Sequence, residues 1–507
     1  MKRKYCILPI IISAALLAGC LSACGESGTA TGGSSSDENT AATVTGGDAA
    51  TTPDTTADVE APDVSGATTI TLSGQSAAVT GTGAEVTDGV VTITAGGTYV
   101  VTGTMTEGRI LVNAPKEEVT LVLQDAAITC STGSPLYVYK SKATTLYLPE
   151  GTDSTLTDGT DYTFSDSYSS AEEEEPSACL YSKSDLVIAG SGSLTVNANY
   201  NNGITGKDTL FIQKASVTVT AVNHGINGKD SLTIKDADIT VTSGGDALRS
   251  TNDSDPTLGY LVITGSALKL TAGEDGIQAE TTLTISGGKI SIVASDDGIN
   301  AAGGSDQSGF GGFGFAPDAF GGSGDYLIRI SGGVVTVNAS GDGIDSNGDI
   351  EVTGGELYIS GPTSNGDGTI DCDGSATITG GIVVAAGSTG MAENFGTAST
   401  QGSILVNLSG SAGQAITLKD SDGDILASFT PAKAFGCVVV SAPGVAQGGT
   451  YTIAAGGAST TVTMESLIYG SGMGGFGGMG GGMGDPGNMG GGQQPPQGGM
   501  GGPGNRG

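Results

Sequence analysis

The chain has no tryptophan, one histidine (His224) and ten phenylalanines in 507 residues. Basic side chains are scarce: 19 Lys and Arg stand against 53 Asp and Glu, for a net charge of −34. Phosphate recognition needs clustered Lys and Arg, so this balance argues against nucleic acid as a partner and against electrostatic docking on anionic lipid. One histidine and no Cys-x-x-Cys pair are a poor fit for metals that favour nitrogen or sulfur. Cys6 lies in the leader. Cys130, Cys179, Cys372 and Cys437 stand singly, without disulfide-framework spacing, and read as small buried hydrophobes. No stretch carries a convincing helical period. No apolar run is long enough for a convincing membrane span, Ile7 to Leu17 included. What remains is a weakly charged, acidic chain, and cations are its natural counter-charge.

What the chain does have is glycine, 89 residues of it, and a recurring tripeptide. Asn202-Gly203-Ile204 returns as His224-Gly225-Ile226, Asp246-Ala247-Leu248, Asp275-Gly276-Ile277, Asp297-Gly298-Ile299 and Asp342-Gly343-Ile344. The intervals between the aliphatic residues are 22, 22, 29, 22 and 45; the 29 reads as one unit plus an insertion and the 45 as about two units. A period in the twenties with turn glycines signals a solenoid. Each unit also carries two short strands, such as Leu283-Thr284-Ile285 and Lys289 to Val293, parted by Ser286-Gly287-Gly288. The tripeptide segment then makes a third side. The fold expected is all-β: a right-handed parallel β-helix of about ten coils, roughly 50 Å long at a strand spacing of ~4.8 Å, with a small C-terminal β cap.

The organisation expected is a signal peptide over 1–24, a disordered Gly/Ser/Thr tether over 25–66, the β-helix over 67–400, the cap over 401–465 and a disordered Gly/Met/Pro tail over 466–507. Lys2, Arg3 and Lys4 precede the apolar run, as in a secretory leader. Leu21-Ser22-Ala23-Cys24 and Leu17-Ala18-Gly19-Cys20 both resemble a lipobox, with Cys24 preferred because the tether starts right after it. The expected location is the outer face of the cell membrane, held by lipid. Two insertions interrupt the beat. Asp161 to Ser177, with Glu172 to Glu175, reads as a solvated loop. Gly303 to Asp325 carries Phe310, Phe313, Phe315 and Phe320, which could stack on sugar rings or pack on the rod.

Stacking brings one residue per coil into a row. Two positions before the aliphatic residue stand Asn202, His224, Asp246, Asp275, Asp297 and Asp342. One position after it stand Thr205, Asn227, Arg249, Gln278, Asn300 and Asp345, with Asp371 following Ile370. Glu274, Asp296, Asp349, Asp367 and Asp373 crowd nearby. Carboxylates ~4.8 Å apart repel by about 0.9 kcal/mol in water and about 3.5 kcal/mol at an effective dielectric of 20. Ca²⁺, which takes six to eight oxygens, would neutralise such a row. The candidate ligands are Asp246, Asp275, Asp296, Asp297, Asn300, Asp342, Asp345, Asp367 and Asp371. Asp-Gly is also a turn former, so capping of backbone N–H groups is the competing explanation. Turn formation alone, however, does not call for the change from Asn202 and His224 to four aspartates.

No nucleophile with a partnered base and no phosphate loop is visible, so no catalytic residue is assigned. Arg249 is the one tempting base beside the row, and an ion pair with Asp246 is its simpler role.

Taken together, Thr69 to Gly74, Gly97 to Gly103, Val119 to Leu123, Leu156 to Gly159, the Asp-Gly-Ile coils and Ala434 to Pro443 resemble a bacterial carbohydrate-binding β-helix family related in fold to polysaccharide lyases. The resemblance covers roughly residues 66 to 465. It implies a right-handed β-helix with bound Ca²⁺ and affinity for cellulose or acidic polysaccharide such as polygalacturonate, and it implies no catalysis. Calcium ligation carries over to Asp275, Asp297, Asp342 and Asp345; the Asn202 and His224 coils depart from the pattern. The function expected is a surface lipoprotein that binds polysaccharide. A calcium-dependent polysaccharide lyase and an adhesin stiffened by calcium are the alternatives.

Overall fold

The computed structural model describes residues 57–301 and 326–470. The lipobox cysteines Cys20 and Cys24, the insertion phenylalanines and residues 471–507 of the expected tail lie outside the described residues; the start of that tail is ordered instead, with Ile468–Tyr469 paired in parallel to Ser403 and Ile404. Among the described residues every regular element is a strand.

Strands form here because β-branched and aliphatic residues alternate with Ser, Thr and Asn, which buries one face and wets the other. Ser193–Ala198 is typical: Leu194 and Val196 are buried, Thr195 and Asn197 less so. Each strand pairs in parallel with its equivalent one coil on. Leu186 pairs with Leu210, that with Leu232, that with Leu261, and that with Leu283. Two sides of the rod are joined by long bent strands such as Thr282–Ala294 and Leu327–Ala339. Gly288 and Gly333 turn that corner at φ of 102° and 87°, where a Cβ would be strained. The third side is a separate sheet whose eleven parallel strands count about 11 turns. The architecture is a three-sided parallel β-helix.

The tripeptide lies on the third side in register. Ile204, Ile226, Leu248, Ile277, Ile299 and Ile344 pair in succession, all fully buried. Its middle residue is tightly packed: Ala247 fits in one coil, but Gly298 leaves no room for a Cβ. A Cβ at Gly298 would lie 2.2 Å from Val337 Cγ1 and 2.5 Å from the Gly343 carbonyl oxygen. The 45-residue interval is one coil, not two, because Ile299 pairs directly with Ile344. The extra chain leaves between Ala301 and Leu327, the same corner that carries the seven-residue excess between Leu248 and Ile277.

The ends are closed by antiparallel pairing, which removes open strand edges. Thr68–Gly74 pairs with Ser76–Thr80, and Ala84–Thr87 with Val90–Ile93. At the other end Phe435–Ser441 pairs with Ile382–Gly387 and Ser403–Gly410. A four-stranded antiparallel sheet (Ile416–Lys419, Ile425–Phe429, Thr450–Ala455, Ala458–Thr463) packs over them on a second core that includes Ile404, Val438 and Ile453.

Two segments expected to be loose are fastened. Within the expected tether, residues 57–66 are described and lie against the rod. Asp58 pairs with Lys214 and Lys235, and Val59 N–H donates to Gln213 Oε1. The loop expected to be solvated, around Asp161 to Ser177, covers the outside of the third side. Arg109 pairs with Asp166, Tyr137 donates to the Tyr168 carbonyl, and Glu175 holds Lys183 and Lys207. Tyr137 and Tyr181 are thereby fully buried although they point away from the main core.

Candidate functional site

The corner that leads into the third side carries the row of side chains. Each accepts a hydrogen bond from the backbone N–H of the same position one coil on. His224 N donates to Asn202 Oδ1 at 3.2 Å, and Asp246 N to His224 Nδ1 at 3.0 Å. Asp275 N donates to Asp246 Oδ1 at 3.1 Å, Asp297 N to Asp275 Oδ1 at 3.0 Å and Asp342 N to Asp297 Oδ1 at 2.5 Å. Gly368 N donates to Asp342 Oδ1, and the row stops there because Gly368 has no side chain. Backbone capping is therefore real, but asparagine and histidine perform it as well. It does not require charge, and it uses only one oxygen of each aspartate.

A second row, one residue past the aliphatic position, runs beside the first. Tyr137, Tyr181, Thr205, Asn227, Arg249, Gln278, Asn300, Asp345 and Asp371 pair in succession. Its character changes from aromatic through neutral to acidic along the rod. Members of this row reach back to the first. Asn300 Nδ2 donates to Asp275 Oδ2 at 3.0 Å and lies 3.5 Å from Asp297 Oδ2. Arg249 makes the equivalent reach two coils earlier: its Nη1 is 3.2 Å from Asp246 Oδ2 and 2.8 Å from His224 Nε2. The expected Arg249–Asp246 ion pair is present.

This difference splits the acids into two classes. Burial works to raise the Asp246 carboxyl, but His224 and Arg249 outweigh it and hold it below its ordinary value. Among the described residues, Asp275, Asp297 and Asp342 have no such base. Burial, then the charge of Asp246, pushes Asp275 up to about 8. Burial, then Asp275, Asp342, Asp345 and Asp296, pushes Asp297 up to about 10. Asp342 is pushed up to about 8 by burial, with Asp371, Asp345 and Asp367 adding to it. Asp371 is raised too, chiefly by burial. Asp297 is 1% exposed. A buried carboxylate without a partner is costly by several kcal/mol, so these groups hold either protons or a cation.

Of the residues expected to ligate, Asp275, Asp297, Asn300, Asp342 and Asp345 fall together on consecutive coils. Asp296 sits half-buried beside Asp297, and Asp371 continues the second row. Asp367 is held by Ser364 Oγ at 2.7 Å. Asp246 stands apart, neutralised by Arg249. The acids are strung along the rod rather than gathered at one point. Among the described residues, only His224, Asp246 and Glu274 bring three His, Cys, Asp or Glu ligand atoms within 4.8 Å of one another. That trio was not anticipated, since the His224 coil departs from the acidic pattern. Glu393 was missed as well. It comes from the loop past the last coil, and burial, with Asp371 adding to it, pushes it up to about 7. A loop outside the repeat gives no spacing signal.

These coils define a repetitive, acid-lined binding rod. The chain belongs to the family described as carbohydrate-binding domain-containing protein, whose model matches residues 87–390. A curated relative of that description from Acetivibrio thermocellus is 36% identical over 140 residues, 27% of this chain and 48% of the relative. The chain thus spans about half the length of that relative. Among solved structures, the polysaccharide lyase-like protein from C. thermocellum, as a gadolinium derivative, aligns with a TM-score of 0.43 and 26% identity. That alignment covers 62% of this chain and 97% of that one.

Proposed function

We propose that this protein is a cell-surface lipoprotein that binds polysaccharide on the third side of the rod, using Ca²⁺ held by the acidic coils. Family membership supports the carbohydrate; the cation rests on one observation. Asp345 holds the strand position, three residues past Asp342, that Arg249 holds past Asp246, but its charge adds to those of Asp342 and Asp297 where Arg249 offsets that of Asp246.

The residues fit a hard cation. Asp275, Asp297 and Asp342 each keep Oδ1 on a backbone N–H, which fixes the carboxylate; Oδ2 of Asp275 also accepts from Asn300 Nδ2, so an ion there would require that amide to turn its oxygen inward. Asp345, Asn300 and Asp371 supply further oxygen, and nitrogen or sulfur donors are not among them. When bound, Ca²⁺ would neutralise these carboxylates and offer open coordination positions to the carboxylates of an acidic glycan. The protein's part is to hold oxygens at the repeat of the coils and to keep the row dry. An acidic glycan such as polygalacturonate is the preferred ligand, since a chain of charge −34 holds an anion only through a bridging cation. The reading is of binding, not catalysis: Arg249 is engaged by Asp246 and His224 and is not free to serve as a base.

A glycan array, run in calcium and again in chelator, tests this. The expected result is a signal on polygalacturonate in calcium that disappears in chelator. Equal binding in both, or none in either, overturns the proposal, and release of unsaturated product from polygalacturonate overturns the non-catalytic part.

A further inference from the structure

His224, Asp246 and Glu274 offer one ring nitrogen and two carboxylates within 4.8 Å, which is the make-up of a metal site. Yet a positive charge is already there. Arg249 Nη1 lies 2.8 Å from His224 Nε2, 3.3 Å from His224 Nδ1 and 3.2 Å from Asp246 Oδ2. All of the Arg249 hydrogen bonds run through this one nitrogen, while its buried Nε has no partner. The guanidinium therefore sits in this place without matching it donor for donor. A fixed counter-charge explains that arrangement better than a tailored hydrogen-bond fork does.

The position belongs to a series. From the second row, Arg249 reaches the first-row residue three before it, Asp246, and the one 25 before it, His224. Asn300 makes the same two reaches, three residues back to Asp297 and 25 back to Asp275. In the strand register Asp345 follows Asn300 one coil on, three residues past Asp342, so the corresponding place there carries an acid. One reach thus recurs with a cation and an amide, and the register puts an acid at the next such position.

We propose that Arg249 is a resident cation. It fills the first of a series of equivalent positions, so exchangeable divalent ions bind only on its C-terminal side, from Asp275 to Asp371. It therefore sets where the cation-bridged footprint of an acidic glycan begins. The His224–Asp246–Glu274 trio is a metal site closed by the protein's own guanidinium, and its mixed donors would take Zn²⁺ more readily than Ca²⁺. This rests on the reading of the acidic coils as a cation row. It adds which residue limits that row and what its removal opens.

The test is titration calorimetry with Ca²⁺ and with Zn²⁺ on the full chain, with thermal melting alongside. The proteins compared are the wild type, Arg249→Gln, Arg249→Lys and the double variant Asp246→Asn/Arg249→Gln. Arg249→Gln should bind one more divalent ion than the wild type, and its melting temperature should rise more with Zn²⁺. Arg249→Lys and the double variant should gain none. An unchanged ion count in Arg249→Gln overturns the proposal. If Arg249→Gln folds only with added ion, the proposal stands. If no ion rescues it while the double variant folds, the trio cannot accept a metal and the proposal falls. A wild type that binds no Ca²⁺ defeats the calcium row instead, and an ion gained by Arg249→Gln would still uphold the resident cation.

Discussion

Replacing Asp297 with asparagine separates the two jobs of that side chain. Asparagine keeps an oxygen for the Asp342 N–H and removes the charge that meets Asp275, Asp342, Asp345 and Asp296. The Asp297 carboxyl is pushed from 3.8 up to about 10 without a cation, so at pH 7 the folded state holds a proton that the unfolded state has lost. The stability this group lends is whole below about pH 4 and drains away as pH rises toward 10. The loss reaches up to about 4 kcal/mol at pH 7, at 1.4 kcal/mol per unit over about three units. Asp275 and Asp342, both pushed up to about 8, steepen the decline between pH 4 and 8. They share the same repulsion, so the losses do not simply add. In chelator, Asp297→Asn should therefore melt a few degrees above the wild type at pH 8 and show little advantage at pH 4. Calcium should raise the wild type more than the variant and remove its decline with pH. Melting curves at both pH values, with calcium and with chelator, decide it. A variant that is destabilised equally in all four conditions would mean that Asp297 is only a hydrogen-bond acceptor, and the cation argument would fail.

Three further outcomes follow from the packing. Gly298→Ala should cost about 1 to 3 kcal/mol in denaturant titration, because its Cβ overlaps Val337 and the Gly343 carbonyl in a close-packed interior. Tyr168→Ala removes a ring set edge-on to Tyr139 at 5.2 Å; protease cleavage within residues 159–177 should speed up while the melting temperature of the rod hardly moves. Asp58→Ala frees the segment from Lys214 and Lys235; cleavage within residues 57–66 should become faster, and the difference from the wild type should shrink at high salt, which screens the same ion pairs.

The repeat was readable because one tripeptide marks one coil. Ile204 to Ile344 had to point inward, and the register puts them there. The same reading misjudged the 45-residue interval, because spacing alone cannot distinguish a second coil from a long excursion between Ala301 and Leu327. Neighbours within the row could be inferred from stacking, including Arg249 beside Asp246. His224 as a backbone acceptor, and its meeting with Glu274, needed the corner geometry that no spacing supplies. Loops were the weakest part. Tyr168 against Tyr139 and Glu393 beside Asp371 are contacts between segments without a period, so tertiary placement alone decides them.

Extra chain leaves at a corner, and the strands on either side keep their pairing. The molecule thus measures distance by counting turns, not residues. A relative with one more turn would extend its contact surface by ~4.8 Å whatever the length of its excursions. Reach and decoration can then change independently: turns set the length of the stacked face, and the excursions set what stands beside it.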